Sequence, residues 1–148
     1  WHRSSTRLFK YVFDENRFYT DGLMNYVDVR DVADAVVHLY ESEIVGERFI
    51  LSAGSSSYKS LFEEIAQRFG VKAPSSKATP FLQLLAYWGD QIRGLFTGQR
   101  PLITAETRRM SGLHYSYNGD KITERISFRY RDLQDSLDWV CGELKAQK

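Results

Sequence analysis

The sequence predicts an α/β fold in its first part, with few strands at the edge of a parallel sheet, followed by a mainly helical part. Alternating and helical apolar periods follow one another in the order strand, helix, strand, helix, which is typical of β-α-β units. The later apolar runs have helical spacing. Pro74-Ser75-Ser76 marks the boundary between the α/β part (1–73) and the mainly helical part (74–148) of one domain.

The first elements are a helix over residues 6–13, with Ser4 or Ser5 as its N-cap, and a strand over residues 26–29. Asp31 follows that strand and is predicted to cap the next helix, since a carboxylate can accept bonds from unpaired N–H groups. The apolar face of this helix is predicted from residues spaced i, i+3, i+4, i+7 and i+8: Val32, Ala35, Val36, Leu39 and Tyr40.

A second strand is predicted over residues 48–52, whose sequence is Arg-Phe-Ile-Leu-Ser. It has no equally apolar strand to pair with, so it indicates an edge strand whose neighbours are missing. An exposed edge invites association. We therefore expect a homodimer through this edge or the adjacent helices.

Residues 55–57 are predicted to cap a second helix, which Gly70 ends in a left-handed conformation. The mainly helical part is predicted to contain helices from residue 79 to about 96, from 104 to 112 and after Asp132, with a short strand at 114–117. The apolar face of the last helix comprises Leu133, Leu137, Val140, Cys141 and Leu144.

Composition excludes several classes of function. The 20 basic and 19 acidic residues are scattered and give a net charge of +1, so no basic stripe is available for nucleic acid. Cys141 is the only cysteine, and the three histidines lack ligand spacing, so neither a disulfide nor a metal site is expected. No apolar run approaches membrane-spanning length, and the cytoplasm is the expected compartment.

Several motifs together resemble a known family. They are Tyr-Val-Asp-Val-Arg-Asp-Val-Ala-Asp-Ala from Tyr26, Gly-Glu-Arg-Phe-Ile-Leu from Gly46, the Ser-capped helix, and Lys-Ile-Thr-Glu from Lys121 ahead of a closing helix. In this order they resemble the C-terminal portion of extended short-chain dehydrogenase/reductases, the NAD-dependent epimerase/dehydratase and dihydroflavonol-reductase-like enzymes. The resemblance implies a partial Rossmann-like unit followed by a substrate-binding subdomain.

The resemblance also implies what this chain lacks. In that family a Gly-rich turn holds the NAD or NADP pyrophosphate, and a helical Tyr-x-x-x-Lys pair performs proton transfer. Both precede the matched region, and neither occurs in this chain. We therefore expect NAD or NADP in a full-length parent, no cofactor bound to this fragment and no catalytic residue within it.

Tyr117 and Lys121 match the Tyr-x-x-x-Lys spacing literally. The residues between them are Asn-Gly-Asp, which favour a turn, and glycine alone costs a helix about 1 kcal/mol. The pair is therefore predicted not to share a helix face.

Candidate substrate-binding residues lie in two places. By the resemblance, the N-terminal segment would line the mouth of the active site through Arg3, Ser4, Ser5 and Arg7, and the two arginines could clamp a carboxylate or phosphate. A solvated N-terminus is the alternative. Asp28 and Arg30 share one face of the predicted strand, either facing a cleft or forming an ion pair that orients the strand-to-helix turn.

The resulting hypothesis is the substrate-binding C-terminal part of an NAD(P)-dependent epimerase, dehydratase or reductase. Its substrate would be a small molecule with a carbonyl or hydroxyl group, and the isolated fragment would be inactive. The alternative is a non-enzymatic module that binds a small molecule or another protein.

Overall fold

The computed structural model describes residues 5–79, 81, 88 and 114–146. Within these residues the helices are α1 (Thr6–Phe13), α2 (Val29–Glu41), α3 (Tyr58–Phe69), α4 (Asp120–Arg125) and α5 (Leu133–Ala146). The strands are β1 (Phe18–Tyr19), β2 (Leu23–Tyr26), β3 (Gly54–Ser57) and β4 (Ser76–Lys77).

The strands form two small sheets. β1 and β4 are parallel, with Phe18 opposite Ser76. β2 and β3 are antiparallel, with Leu23 opposite Ser57 and Tyr26 opposite Gly54. The result is a mixed α/β structure with a small parallel sheet and several helices, compatible with a partial Rossmann-like unit.

The predictions for α1 and α3 are confirmed. α1 covers the predicted residues, although the Ser5 side chain makes no capping hydrogen bond. The Ser57 hydroxyl accepts from the N–H of Ser60 and caps α3. Gly70 ends that helix with φ of +69°, a backbone conformation that glycine adopts without strain.

The boundary between β2 and α2 differs from the prediction. The strand ends at Tyr26 and the helix begins at Val29, so the expected strand over 26–29 was wrong. Asp28, not Asp31, is the N-cap, and its carboxylate accepts from the N–H of Arg30. Asp31 lies inside the first turn, is fully buried and pairs with Arg131.

The predicted strand over 48–52 is not a strand among the described residues. The β2 partner is β3 instead, in which Ser55 and Ser56 pair with β2 rather than capping a helix. β3 has the sequence Gly-Ser-Ser-Ser, which has low β-propensity, so its extended form comes from pairing with β2.

Pro74-Ser75-Ser76 does not behave as a free connection. The N–H groups of Ser75 and Ser76 both donate to the carbonyl of Arg17, and Ser76 begins β4. The division into 1–73 and 74–148 stays a prediction. The predicted helices of residues 79–96 and 104–112 lie outside the described residues, apart from the exposed, helical residues Phe81 and Trp88.

The C-terminal elements agree in part with their predictions. Residues 114–117 are described but do not form the expected strand. α5 begins one residue after Asp132, whose carbonyl accepts the N–H of Ser136.

The core lies where α1 and α5 pack on α3. Burial of these aliphatic and aromatic side chains contributes about 1.5–3 kcal/mol for each large one. No helix within the described ranges combines the length and apolar character needed to cross a bilayer. The buried members of the core are Val12, Leu61, Phe62, Ile65, Ala66, Leu137 and Cys141.

Candidate functional site

A cavity of about 560 Å³ lies between the first turns of α1, the end of β2 and one side of α5. Its volume lies in the range of small-molecule sites. Most of its wall is apolar, from Leu8 and Phe9 on α1 to Leu137 and Val140 on α5. The cavity is therefore the candidate site for an organic ligand.

Asp28 is a buried polar group of this cavity. Its Oδ1 accepts from the N–H of Arg30 at 2.8 Å and from Nε at 3.0 Å, and its Oδ2 accepts from Nη2 at 2.6 Å. The hydrogen-bonded Arg30 guanidinium holds the pKa of the Asp28 carboxyl well below its usual range. Asp28 is therefore a fixed negative charge at the end of β2.

Arg30 also stacks on Trp139. Its guanidinium carbon lies 4.2 Å from the centroid of the indole ring, within the range of a cation–π contact. Trp139 lines the cavity, so the Asp28–Arg30 pair holds one aromatic wall in place. The Asp28 cap of α2, the Asp28–Arg30 ion pair and the position of the Trp139 ring therefore depend on one another.

The remaining polar lining is acidic or neutral. Glu143 on α5 and Ser5 at the start of α1 lie on the wall, and no lysine, arginine or histidine is among the described lining residues. Carboxylates accept hydrogen bonds and repel anions. The described wall suits an apolar molecule that carries hydrogen-bond donors.

The structure brings together only some of the predicted site residues. Ser5 and Asp28 line the cavity, and Arg30 contacts its Trp139 wall. Arg7 is exposed and is not part of the lining, so the expected arginine clamp is not built there. Arg3 and Ser4 lie outside the described residues.

For Asp28 and Arg30 the geometry is that of an ion pair at a strand-to-helix turn, with Asp28 also facing the cavity. Sequence reasoning missed Trp139 because it lies away from the buried positions of α5. Its contact with Arg30 joins residues more than a hundred positions apart, so no local pattern signals it.

Tyr117 and Lys121 do not share a helix, as predicted, since α4 begins only at Asp120. The Lys121 ammonium instead lies 3.0 Å from Glu47, donates to the carbonyl of Arg48 at 3.1 Å and lies over the ring of Phe49. These contacts assign Lys121 a structural role.

Solved structures with a similar fold are known. The crystal structure of gox2253 matches with a TM-score of 0.65 and 23% identity, covering 90% of this chain and 40% of that one. The crystal structure of a "putative epimerase" from Burkholderia cenocepacia J2315 matches with a TM-score of 0.62 and 18% identity, covering 98% and 43%. This likeness shows the fold alone. The chain thus spans about two fifths of each matched protein.

Sequence comparison is less informative. No family model matches the chain. No curated protein matches it either.

The N-termini of α2 and α3 are not free to hold a pyrophosphate. The N-terminus of α2 is occupied by the Asp28 carboxylate, which would repel a pyrophosphate, and that of α3 by the Ser57 hydroxyl. The sequence has no Gly-rich turn that would let a backbone approach phosphates closely. In the part of the chain that the structure describes, no group of three His, Cys, Asp or Glu residues could hold a metal ion.

Proposed function

We propose that this chain forms the substrate-binding C-terminal part of an NAD(P)-dependent epimerase, dehydratase or reductase. One observation carries the proposal. Nearly the whole chain matches two fifths of two solved structures, one of which has an epimerase name. The motifs from Tyr26 onward support the same assignment through their resemblance to extended short-chain dehydrogenase/reductases.

The cavity supplies the substrate-binding role in this proposal. Its apolar wall receives the body of a small carbonyl or hydroxyl compound, and Trp139 forms one side. Asp28 and Glu143 offer acceptors for the hydroxyl groups of the substrate. NAD or NADP, bound by the remainder of a longer protein, would give or accept the hydride.

The isolated chain is expected to be inactive. It lacks the Gly-rich turn and the helical Tyr-x-x-x-Lys pair, and the N-termini of α2 and α3 are occupied by their own capping side chains. Binding without turnover is therefore the expected property of the 148-residue chain.

The experiment compares the complete gene product with this chain. The coding sequence upstream of Trp1 should encode a Gly-rich turn and a helical Tyr-x-x-x-Lys pair. The gene product should then change NAD(P)H absorbance with small carbonyl or hydroxyl compounds, while the 148-residue chain does not. Turnover by the 148-residue chain would refute the proposal, as would a gene product that binds no NAD(P).

The cavity is tested separately by filling it. Val140→Trp adds bulk to the α5 wall and should raise the KM of the gene product by tenfold or more, since an occluded cavity loses substrate contacts. Gln67→Trp is the matched control, because Gln67 is exposed on α3 and does not line the cavity. An unchanged KM in Val140→Trp would remove the cavity from the proposal.

A non-enzymatic binding module is the second candidate. The observation that favours it is the cavity of about 560 Å³, whose volume suits a small molecule. A start codon near Trp1, with ligand binding and no turnover, would support this candidate.

A further inference from the structure

The two carboxylates of the described cavity lining differ in how their charge is compensated. Asp28 is matched by Arg30, whose guanidinium lies 2.6 Å from its Oδ2. The Glu143 carboxylate forms no ion pair or hydrogen bond with any described residue. Glu143 is exposed, so it lies at the mouth of the cavity. The described lining therefore carries one uncompensated negative charge, at the mouth.

The cations that follow the cavity wall in sequence do not supply the missing charge. Lys145, two residues after Glu143, donates to the carbonyl of Arg68 on α3 at 2.6 Å. Arg7 on α1 is exposed and does not line the cavity. A positive charge beside Glu143 must then come from a bound molecule.

Trp139 lies next to Glu143 on the cavity wall. The two residues are four apart on α5, a spacing that puts their Cβ atoms about 5–6 Å from each other on one helix face. Arg30 covers part of the indole at 4.2 Å from the ring centroid, and 38% of Trp139 stays exposed. The face of an indole attracts cations. An aromatic ring and a carboxylate thus flank one point at the mouth of the cavity.

The end of α5 adds to the same potential. Glu143 is the fourth residue from the last residue of the helix, Ala146. The last four carbonyl groups of a helix have no intrahelical partners and carry a partial negative charge, which favours a cation within about one turn. The helix terminus, the carboxylate and the indole therefore all favour a positive charge.

The inner part of the cavity is apolar. Leu61 and Leu137, which are 1% and 3% exposed, form part of this wall together with Phe9 of α1. A volume of about 560 Å³ suits the hydrocarbon body of a small molecule. The complementary ligand has an apolar body that ends in a cation.

We propose that the cavity binds an organic amine, with its ammonium group between Glu143 and Trp139 and its apolar body against the inner wall. The inference rests on the proposed function in taking this cavity as the substrate site. It narrows the substrate to a carbonyl or hydroxyl compound that also carries an amine. A carboxylate or phosphate group at the same place would meet the like charge of Glu143.

Three probes of the same shape test the charge preference. Phenethylamine, phenethyl alcohol and phenylacetate share an aromatic ring and differ in the charge of the end group. Calorimetric titration at neutral pH, without NAD(P), is made on the 148-residue chain and on the complete gene product. The amine should bind at least tenfold more tightly than the alcohol, and phenylacetate at least tenfold more weakly than the alcohol. Salt should reduce the preference for the amine, because Glu143 is exposed.

Two variants locate the preference. Glu143→Gln should bring the affinities for the amine and the alcohol to within about twofold, mainly by weakening the amine. Glu124→Gln is the matched control, since Glu124 is exposed on α4, forms no ion pair among the described residues and does not line the cavity. Val140→Trp fills the cavity and should abolish binding of all three probes. An unchanged Tm shows that a variant is folded.

Three results would overturn the inference. They are equal affinities for the amine and the alcohol, no binding of any probe, and a preference for the amine that persists in Glu143→Gln. NAD(P)H turnover with a neutral carbonyl compound, an increased KM in Val140→Trp and no preference for amines would overturn the inference and keep the proposed function. Amine binding that depends on Glu143, in a gene product without NAD(P)H turnover, would do the reverse.

Discussion

The carboxylate of Asp31, completely buried in α2, is paired with the guanidinium of Arg131 from the segment before α5. The same guanidinium donates to Asp34 at 3.0 Å, and the backbone N–H of Arg131 donates to Asp31. One arginine therefore ties α2 to a part of the chain a hundred residues away. Loss of a buried acceptor leaves its donors unsatisfied.

Asp31→Ala should lower the free energy of unfolding by about 2 kcal/mol, because the N–H of Arg131 loses its acceptor. Arg131→Met should lower it further, since Asp31 would remain buried without a cation. Urea denaturation measures both. Asp34→Asn is the control and should have little effect because Asp34 is half exposed. An equal loss in Asp34→Asn would contradict this ranking.

Asp28 predicts a pH dependence of stability. The pKa of its carboxyl is held below the usual value by its hydrogen bonds to Arg30. The stabilisation is fully present above the unfolded pKa of about 4 and is lost as the pH falls through the lower folded pKa. Asp28→Asn should lower the free energy of unfolding by about 1.5 kcal/mol at about pH 6 and by progressively less below about pH 4. Urea denaturation at each pH measures this difference. A difference in unfolding free energy between the original chain and Asp28→Asn that stays constant with pH would contradict the prediction.

Gly119 and Gly142 form a matched pair of glycines. A Cβ on Gly119 would lie 2.2 Å from the carbonyl oxygen of Ser52, so Gly119→Ala should destabilise the fold by about 2 kcal/mol. A Cβ on Gly142 would meet nothing within 4 Å inside α5, so Gly142→Ala should stabilise it by about 0.5–1 kcal/mol. Thermal unfolding should show opposite shifts in Tm, and shifts of the same sign would be the contrary outcome.

Cys141 is predicted to be unreactive. Burial raises the pKa of its thiol to about 11. At about pH 8 its thiolate fraction is then on the order of a hundredfold below that of a free cysteine. Alkylation should be at least that much slower in the native chain than in urea. Equal rates would show that α5 does not bury this thiol.

The isolated 148-residue chain is expected to self-associate through the edge at residues 48–52 or the adjacent helices, because Val36, Val37 and Tyr40 of α2 are exposed. Sedimentation should show a dimer whose population rises with concentration. Val36→Asp should shift it to monomer, whereas Tyr115→Asp should not. A monomer at high concentration would count against this expectation.

Local signals were sufficient where a helix buries its own apolar face. For α3 the cap within residues 55–57 and the end at Gly70 were both predicted, and both agree with the structure. Local signals were insufficient where a contact with a distant part of the chain decides the structure. β3 is a run of serines that is extended only because β2 pairs with it, and Trp139 joins the candidate site only because Arg30 stacks on it.

The misplaced cap has a physical cause as well. Val27, Asp28 and Val29 alternate as in a strand, and two aspartates precede helical spacing, so sequence alone favours the later one. The structure uses Asp28 as the cap because Asp31 is engaged by Arg131, which is distant in the sequence. For the same reason the apolar face predicted for α2 was wrong at Val36 and Tyr40, which are exposed.

The Asn25 side chain both donates to and accepts from the backbone of residues 115–117, as the backbone of a paired strand would. Its amide nitrogen donates to the carbonyl of Tyr115 at 2.8 Å, and its amide oxygen accepts the N–H of Tyr117 at 2.9 Å. Earlier in the chain, the N–H of Ala78 donates to the carbonyl of Tyr19 in β1 at 2.7 Å. Ala78 on one side and Tyr115 and Tyr117 on the other are therefore both anchored to the short region from β1 to β2. A shift of β1 against β2 would therefore move these two anchor points relative to each other, so the pairing of both strands fixes where the chain stands at Ala78 and again at Tyr115.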